Sequence, residues 1–150
     1  MTQSSPRPID DPFDLNRFVQ AQAPIYSNAL AELSAGSKRA HWMWFIFPQV
    51  DGLGFSATTK LYSIKSLAEA RAYLTHPVLG ARLVECTRTV LAISGKTTLD
   101  IFRRPDDMKL QSSMTLFAAI SPDASVFSDV LDKFFDGEHD PRTVELIKAA

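Results

Sequence analysis

Along most of the chain, apolar residues recur three and four positions apart, the spacing that gathers side chains on one face of a helix. Phe13, Leu15, Phe18 and Val19 open the pattern behind Asp11, read as an N-cap, and Pro12, read as the first helical residue. Pro24 removes a backbone donor and interrupts the period, which Ile25, Ala29, Leu30 and Leu33 resume as far as Gly36, a suitable C-terminal cap. One kinked helix or two consecutive ones is expected there. Ser66 and Glu69 have the spacing of a capping box and predict a helix to about Thr75. Pro77 opens another, in which Leu79, Leu83, Cys86, Val90 and Ile93 keep one face apolar up to Gly95. Pro105, Asp106 and Asp107 begin a helix with acids at the positive end of its dipole and Leu110, Met114 and Phe117 beneath. Val126, Phe127, Val130, Leu131, Phe134 and Phe135 mark the next, stopping at Gly137, and Asp140 with Pro141 caps a terminal helix carrying Val144 and Ile147.

No segment alternates cleanly between apolar and polar residues, although Trp42 to Phe47 is aromatic enough to read as a buried strand. The pattern predicts an all-α fold of six or seven medium helices in an irregular orthogonal array. Residues 1–11, with two prolines, two serines and two adjacent acids but no apolar period, read as a disordered tail before a single domain over 12–150. No internal repeat points to a solenoid.

Composition narrows the function more than the fold. Sixteen basic and seventeen acidic residues leave a net charge of -1, which argues against a protein held mainly by phosphate backbones, so no nucleic-acid partner is expected. The longest apolar run, Trp42 to Phe47, is too short to span a bilayer, and no membrane partner is expected. With one cysteine, Cys86, no internal disulfide can form, and a reducing, cytoplasmic setting fits. Cys86 lies in an apolar stripe, where a thiol behaves as a small hydrophobe.

The most unusual stretch runs from Gly36 to Gln49, where Lys38 and Arg39 lead directly into both tryptophans of the chain. Lys38 offers charge, His41 and Trp44 offer stacking faces and Gln49 offers donors, a combination that suits a flat anionic ligand such as a nucleotide. Packing of the same aromatics into the core is the competing reading. Gly36-Ser37-Lys38 resembles the end of a phosphate-binding loop, but Ala31 stands where its first glycine belongs, which excludes that motif. His41, His76, Cys86 and His139 lack paired ligand spacing, so no metal and no cofactor is expected.

A second constellation opens the helix at Asp106. Lys109, Ser112 and Ser113 fall at i, i+3 and i+4 and are expected to share a face able to receive a phosphate or a sugar hydroxyl. Together with Lys38 to Gln49 they are expected to line the largest cavity. Asp107, or Glu32 on the helix before the aromatic block, is the candidate general acid or base should the site be catalytic. From Asp123 to Asp140 the chain is locally acidic, which leaves room for a basic protein partner.

The block His41-Trp42-Met43-Trp44-Phe45-Ile46-Phe47-Pro48-Gln49 resembles the hallmark of the domain of unknown function family 1810. Phe18 to Gln22, Tyr62 to Ile64, His76 to Leu83 and Asp107 to Phe117 are similar, in order, to the family's other blocks, so the resemblance covers about residues 12 to 136. It implies an all-helical small domain and no particular activity. Ile64 to Gly80 and Asp107 to Phe117 also look faintly like the middle helices of NADAR-type N-glycosidases, which implies an ADP-ribose-like ligand without placing a catalytic residue. The expectation is therefore a domain binding a small anionic, ring-containing ligand. A hydrolase or N-glycosidase acting on a nucleotide-derived substrate is the alternative, and a protein interaction domain the second; whether the protein is an enzyme, and its oligomeric state, are left open.

Overall fold

The computed structural model describes residues 11–122 and 124–149. Most of the tail expected over residues 1–11 therefore lies outside the described residues. Ten helices follow one another: α1 (Asn16–Gln22), α2 (Tyr26–Ser34), α3 (Met43–Ile46), α4 (Ala57–Leu61), α5 (Leu67–Thr75), α6 (Leu79–Leu91), α7 (Thr98–Phe102), α8 (Asp106–Ala119), α9 (Val126–Phe135) and α10 (Pro141–Ala149). The fold is all-α and forms one domain, with ten helices among the described residues in place of the six or seven expected. The extra ones are short. α3, α4 and α7 span four or five residues, less than two helical turns, so they show no repeat of the apolar period.

Trp42 to Phe47 is not a strand. Its centre forms the single turn α3, and among the described residues β pairing is confined to one parallel bridge between Val50 and Ile64. That bridge, with Asp51 N–H donating to the Ile64 carbonyl and Ile64 N–H to the Gln49 carbonyl, both at 2.8 Å, pins the loop after the aromatic block and fixes where Gln49 stands.

The core is organised by α6 and α8. α6 packs against α2, α3, α5 and α9, while α8 packs against α5, α7, α9 and α10. Leu79, Leu83, Cys86 and Val90 are fully buried, as their spacing on α6 predicts. Burial pushes the Cys86 thiol up to about 11. α5 and α6 approach so closely that a Cβ on Gly80 would lie 1.9 Å from the Leu74 carbonyl oxygen, so only glycine fits.

The caps are partly rearranged. Pro12 does not start α1; Asp11 instead accepts from the Leu15 and Asn16 amides at 2.7 and 2.9 Å, reaching the helix from upstream. Ser66 caps α5 through the Glu69 amide at 3.0 Å. The Glu69 carboxylate does not close the box on Ser66, because it accepts from the Lys65 amide and pairs with Arg17 at 2.7 Å. α6 starts two residues after Pro77, with the His76 ring Nδ1 accepting from the Val78 and Leu79 amides, both at 3.1 Å.

Candidate functional site

The aromatic block divides itself between core and surface. Trp42, Met43, Ile46 and Phe47 are buried, Trp44 and Phe45 half-buried, and His41 exposed. A helical turn rotates neighbours by about 100°, so Trp44 and Phe45 come out of the core between Met43 and Ile46, which face into it. Trp44 meets α8, where Lys109 Nζ lies 4.8 Å from the indole centroid.

This contact stands where two cavities adjoin, with Trp44, Pro105 and Lys109 as their common wall. The first, of about 310 Å³, is lined by the cations Lys38, Arg39, Arg103, Arg104 and Lys109, by His41 and by a single carboxylate among the described residues, Asp106. The second, of about 270 Å³, is nearly neutral. Gln49, Thr59 and Ser112 give it hydrogen-bonding groups, Leu53 and Met108 an apolar wall, and Asp140 and Arg142 opposite charges.

Asp106 is shared inside the basic cavity. Its Oδ2 pairs with Lys38 Nζ at 2.8 Å and its Oδ1 with Lys109 Nζ at 3.4 Å. Lys38 is only 5% exposed and also donates to the Ala40 carbonyl, so its charge is desolvated and held in place. Arg103 is the unusual backbone position, at φ 62° and ψ 162°, a region that non-glycine residues seldom occupy. Its guanidinium donates to the Lys38 carbonyl at 3.1 Å, joining the α7–α8 corner to the chain before the aromatic block.

Two residues lining the second cavity, Ser112 and Asp140, meet at the buried Thr143, which donates to Asp140 Oδ2, the cap of α10, while Ser112 Oγ lies 2.7 Å from Thr143 Oγ1. Because Thr143 directs its proton at Asp140, Ser112 directs its own at Thr143 and faces the cavity as an acceptor.

Of the residues singled out by sequence, Lys38 and His41 line the basic cavity, Gln49 and Ser112 the second, and Trp44 and Lys109 both. Ser113 lines neither. One residue past Ser112 it turns into the core, fully buried, with its Oγ lacking a partner among the described residues. Asp107 is also buried outside both cavities; one oxygen pairs with Arg104 Nη2 at 3.3 Å and Oδ1 has no partner among the described residues. Glu32 stands apart from both as well. Its Oε1 accepts from the Arg39 and Ala40 amides and from Trp42 Nε1 at 2.8–3.1 Å, and its Oε2 from Asn28. Burial works to raise its pKa, but these donors together outweigh it and hold the carboxyl below its ordinary value.

The pair of cavities is not the largest concavity, contrary to the expectation. An open groove of about 1140 Å³ runs along α6 between the end of α2 and Lys96. The missed site residues were Arg103 and Arg104 in the basic cavity and Thr59 and Arg142 in the second. The paired arginines before Pro105 are visible in the sequence, but only the turn into α8 carries them back to His41. Among the described residues no group of three or more His, Cys, Asp or Glu could hold a metal ion, and no helix is long and apolar enough to cross a membrane.

Residues 12–147 match the family model described as a protein of unknown function, DUF1810. The chain belongs to this family. A solved structure, that of the conserved hypothetical protein Rv1873 from Mycobacterium tuberculosis at 1.38 Å, is similar at 52% identity with a TM-score of 0.91. The similarity covers 93% of this DUF1810 chain and all of that one. No curated protein matches.

Proposed function

We propose that this DUF1810 protein binds a small, anionic, ring-containing ligand in the paired cavities, with the anion in the basic one and the ring against Trp44. The observation that carries the reading is the Lys109–Trp44 contact at the wall common to both cavities: a cation and an aromatic face stand together where a charged ring compound would need them. The excess of cations over Asp106 supports the anionic end, and the near-neutral, hydrogen-bonding lining of the other cavity supports the ring. Binding is favoured over hydrolysis because Glu32 and Asp107, the carboxylates proposed for acid or base work, line neither cavity, while the carboxylates that do are engaged, Asp106 with Lys38 and Lys109 and Asp140 with Thr143. With its lone thiol and balanced composition, we read the protein as cytoplasmic.

Calorimetry on the folded chain with ADP and with adenosine tests the reading. ADP should bind at least about tenfold more tightly than adenosine, a difference of about 1.4 kcal/mol from the anionic end. Absence of ADP binding would overturn it.

A further inference from the structure

The ligand positions of the proposed site are already occupied by the protein's own side chains. Asp106 places one carboxylate oxygen on Lys38 and the other on Lys109, where an incoming anion would sit, and Lys109 in turn lies over Trp44, where an incoming ring would stack. Asp106, Lys109 and Trp44 thus form a chain of stand-ins: carboxylate for anion, ammonium for ring.

From this chain we infer that Asp106 and Lys109 make the site selective for compounds in which the anion and the flat ring belong to one molecule, phosphorylated ring compounds such as nucleoside diphosphates. The inference rests on the ligand class proposed above and adds the device that sets it. An inorganic anion must compete with a carboxylate held 2.8 Å from Lys38, and gains no ring contact in return. A neutral ring must lift a cation off the indole and brings no anion of its own to hold it, leaving Lys109 only the Asp106 oxygen it already shares at 3.4 Å. When one molecule carries both groups, its anion draws Lys109 away from Trp44 and its ring takes the vacated face, so each half of the ligand assists the other. Arg39, Arg103 and Arg104 lie in the same cavity, with no ion pair to Asp106, and supply the attraction that moves the anion in.

The test is calorimetry of the full chain with three probes: ADP, inorganic pyrophosphate and adenosine. Wild type should bind ADP more tightly than either other probe by about tenfold or more. Asp106→Asn should bind pyrophosphate about tenfold more tightly than wild type, because Lys38 and Lys109 are no longer neutralised. Lys109→Ala alters a partly exposed side chain, so the fold does not depend on it as it does on the buried Lys38 pair. It should bind adenosine several-fold more tightly and ADP more weakly, opposite signs that loss of a simple phosphate contact does not produce. Folded Asp106→Asn with unchanged or weaker pyrophosphate binding overturns the inference. So does Lys109→Ala with unchanged or weaker adenosine binding, which decides the matter even should Asp106→Asn not fold. Where wild type binds ADP and the variants fail to shift, only the stand-in device is lost; where wild type binds none of the probes, the ligand class falls with it.

Discussion

Trp42 Nε1 donates to Glu32 Oε1 at 2.9 Å, and that bond ties the buried end of the aromatic block to α2. The same oxygen accepts from the Arg39 and Ala40 amides, so one carboxylate orients the chain that carries Lys38 and His41 into the basic cavity.

Because these donors favour the ionised form, Glu32 has a depressed pKa in the folded state, and its contribution to stability is present above the unfolded value, about 4.3, and lost as pH falls through the folded one. Glu32→Gln should therefore lower stability by about 1–3 kcal/mol at neutral pH, with the difference from wild type shrinking on acidification below about pH 4.3. Urea melts of both proteins across that range check it; a difference that grows in acid contradicts the role.

Trp44 and the cations should separate by salt. Exposed charges are screened as the Debye length falls from about 30 Å at 0.01 M to about 3 Å at 1 M, whereas stacking is hardly screened. Trp44→Ala should weaken ADP binding by a similar factor at every ionic strength, while Arg104→Ala should weaken it chiefly at low salt. Titrations at both extremes distinguish the two.

Arg103 allows backbone and side chain to be weighed apart. Arg103→Gly and Arg103→Ala remove the same guanidinium, so both should weaken ADP binding alike. At φ 62° the alanine keeps the strain and the glycine relieves it, so Arg103→Gly should be the more stable by about 1–2 kcal/mol in denaturant melts.

Within the aromatic block, truncation should be graded by burial. Phe47→Ala empties a fully buried site between Trp42 and Phe102 and should cost about 3–5 kcal/mol. Phe45, half-buried and packed edge-on against Tyr62, should cost less. Equal losses in thermal melts would mean that Phe45 is held as deeply as Phe47.

The long amphipathic elements were legible because their period repeats: Leu79, Leu83, Cys86 and Val90 on α6 need several turns to be recognised. α7 was missed although Thr97 and Asp100 form a complete capping box, since its five residues carry a start signal and no period to confirm it. For the site, residue type pointed to Lys38, His41, Trp44, Gln49, Lys109 and Ser112. Face assignment failed at Ser113, where one step of helical rotation separates a cavity wall from the core. Arg103 and Arg104 could not be attached to the aromatic block without the α7–α8 corner, a contact between segments about sixty residues apart.

Cys86 gives the protein a clock. The thiolate is the reactive form of cysteine, and a thiol pushed up to about 11 in the packed face of α6 presents almost none at neutral pH. A water-soluble alkylating reagent must therefore wait for α6 to lift away from its neighbours, and the rate of mass increase counts those openings one molecule at a time. With no second sulfhydryl in the chain, every label reports the same event, and its dependence on denaturant measures how much of the helical core has to come apart for a single sulfur to reach water.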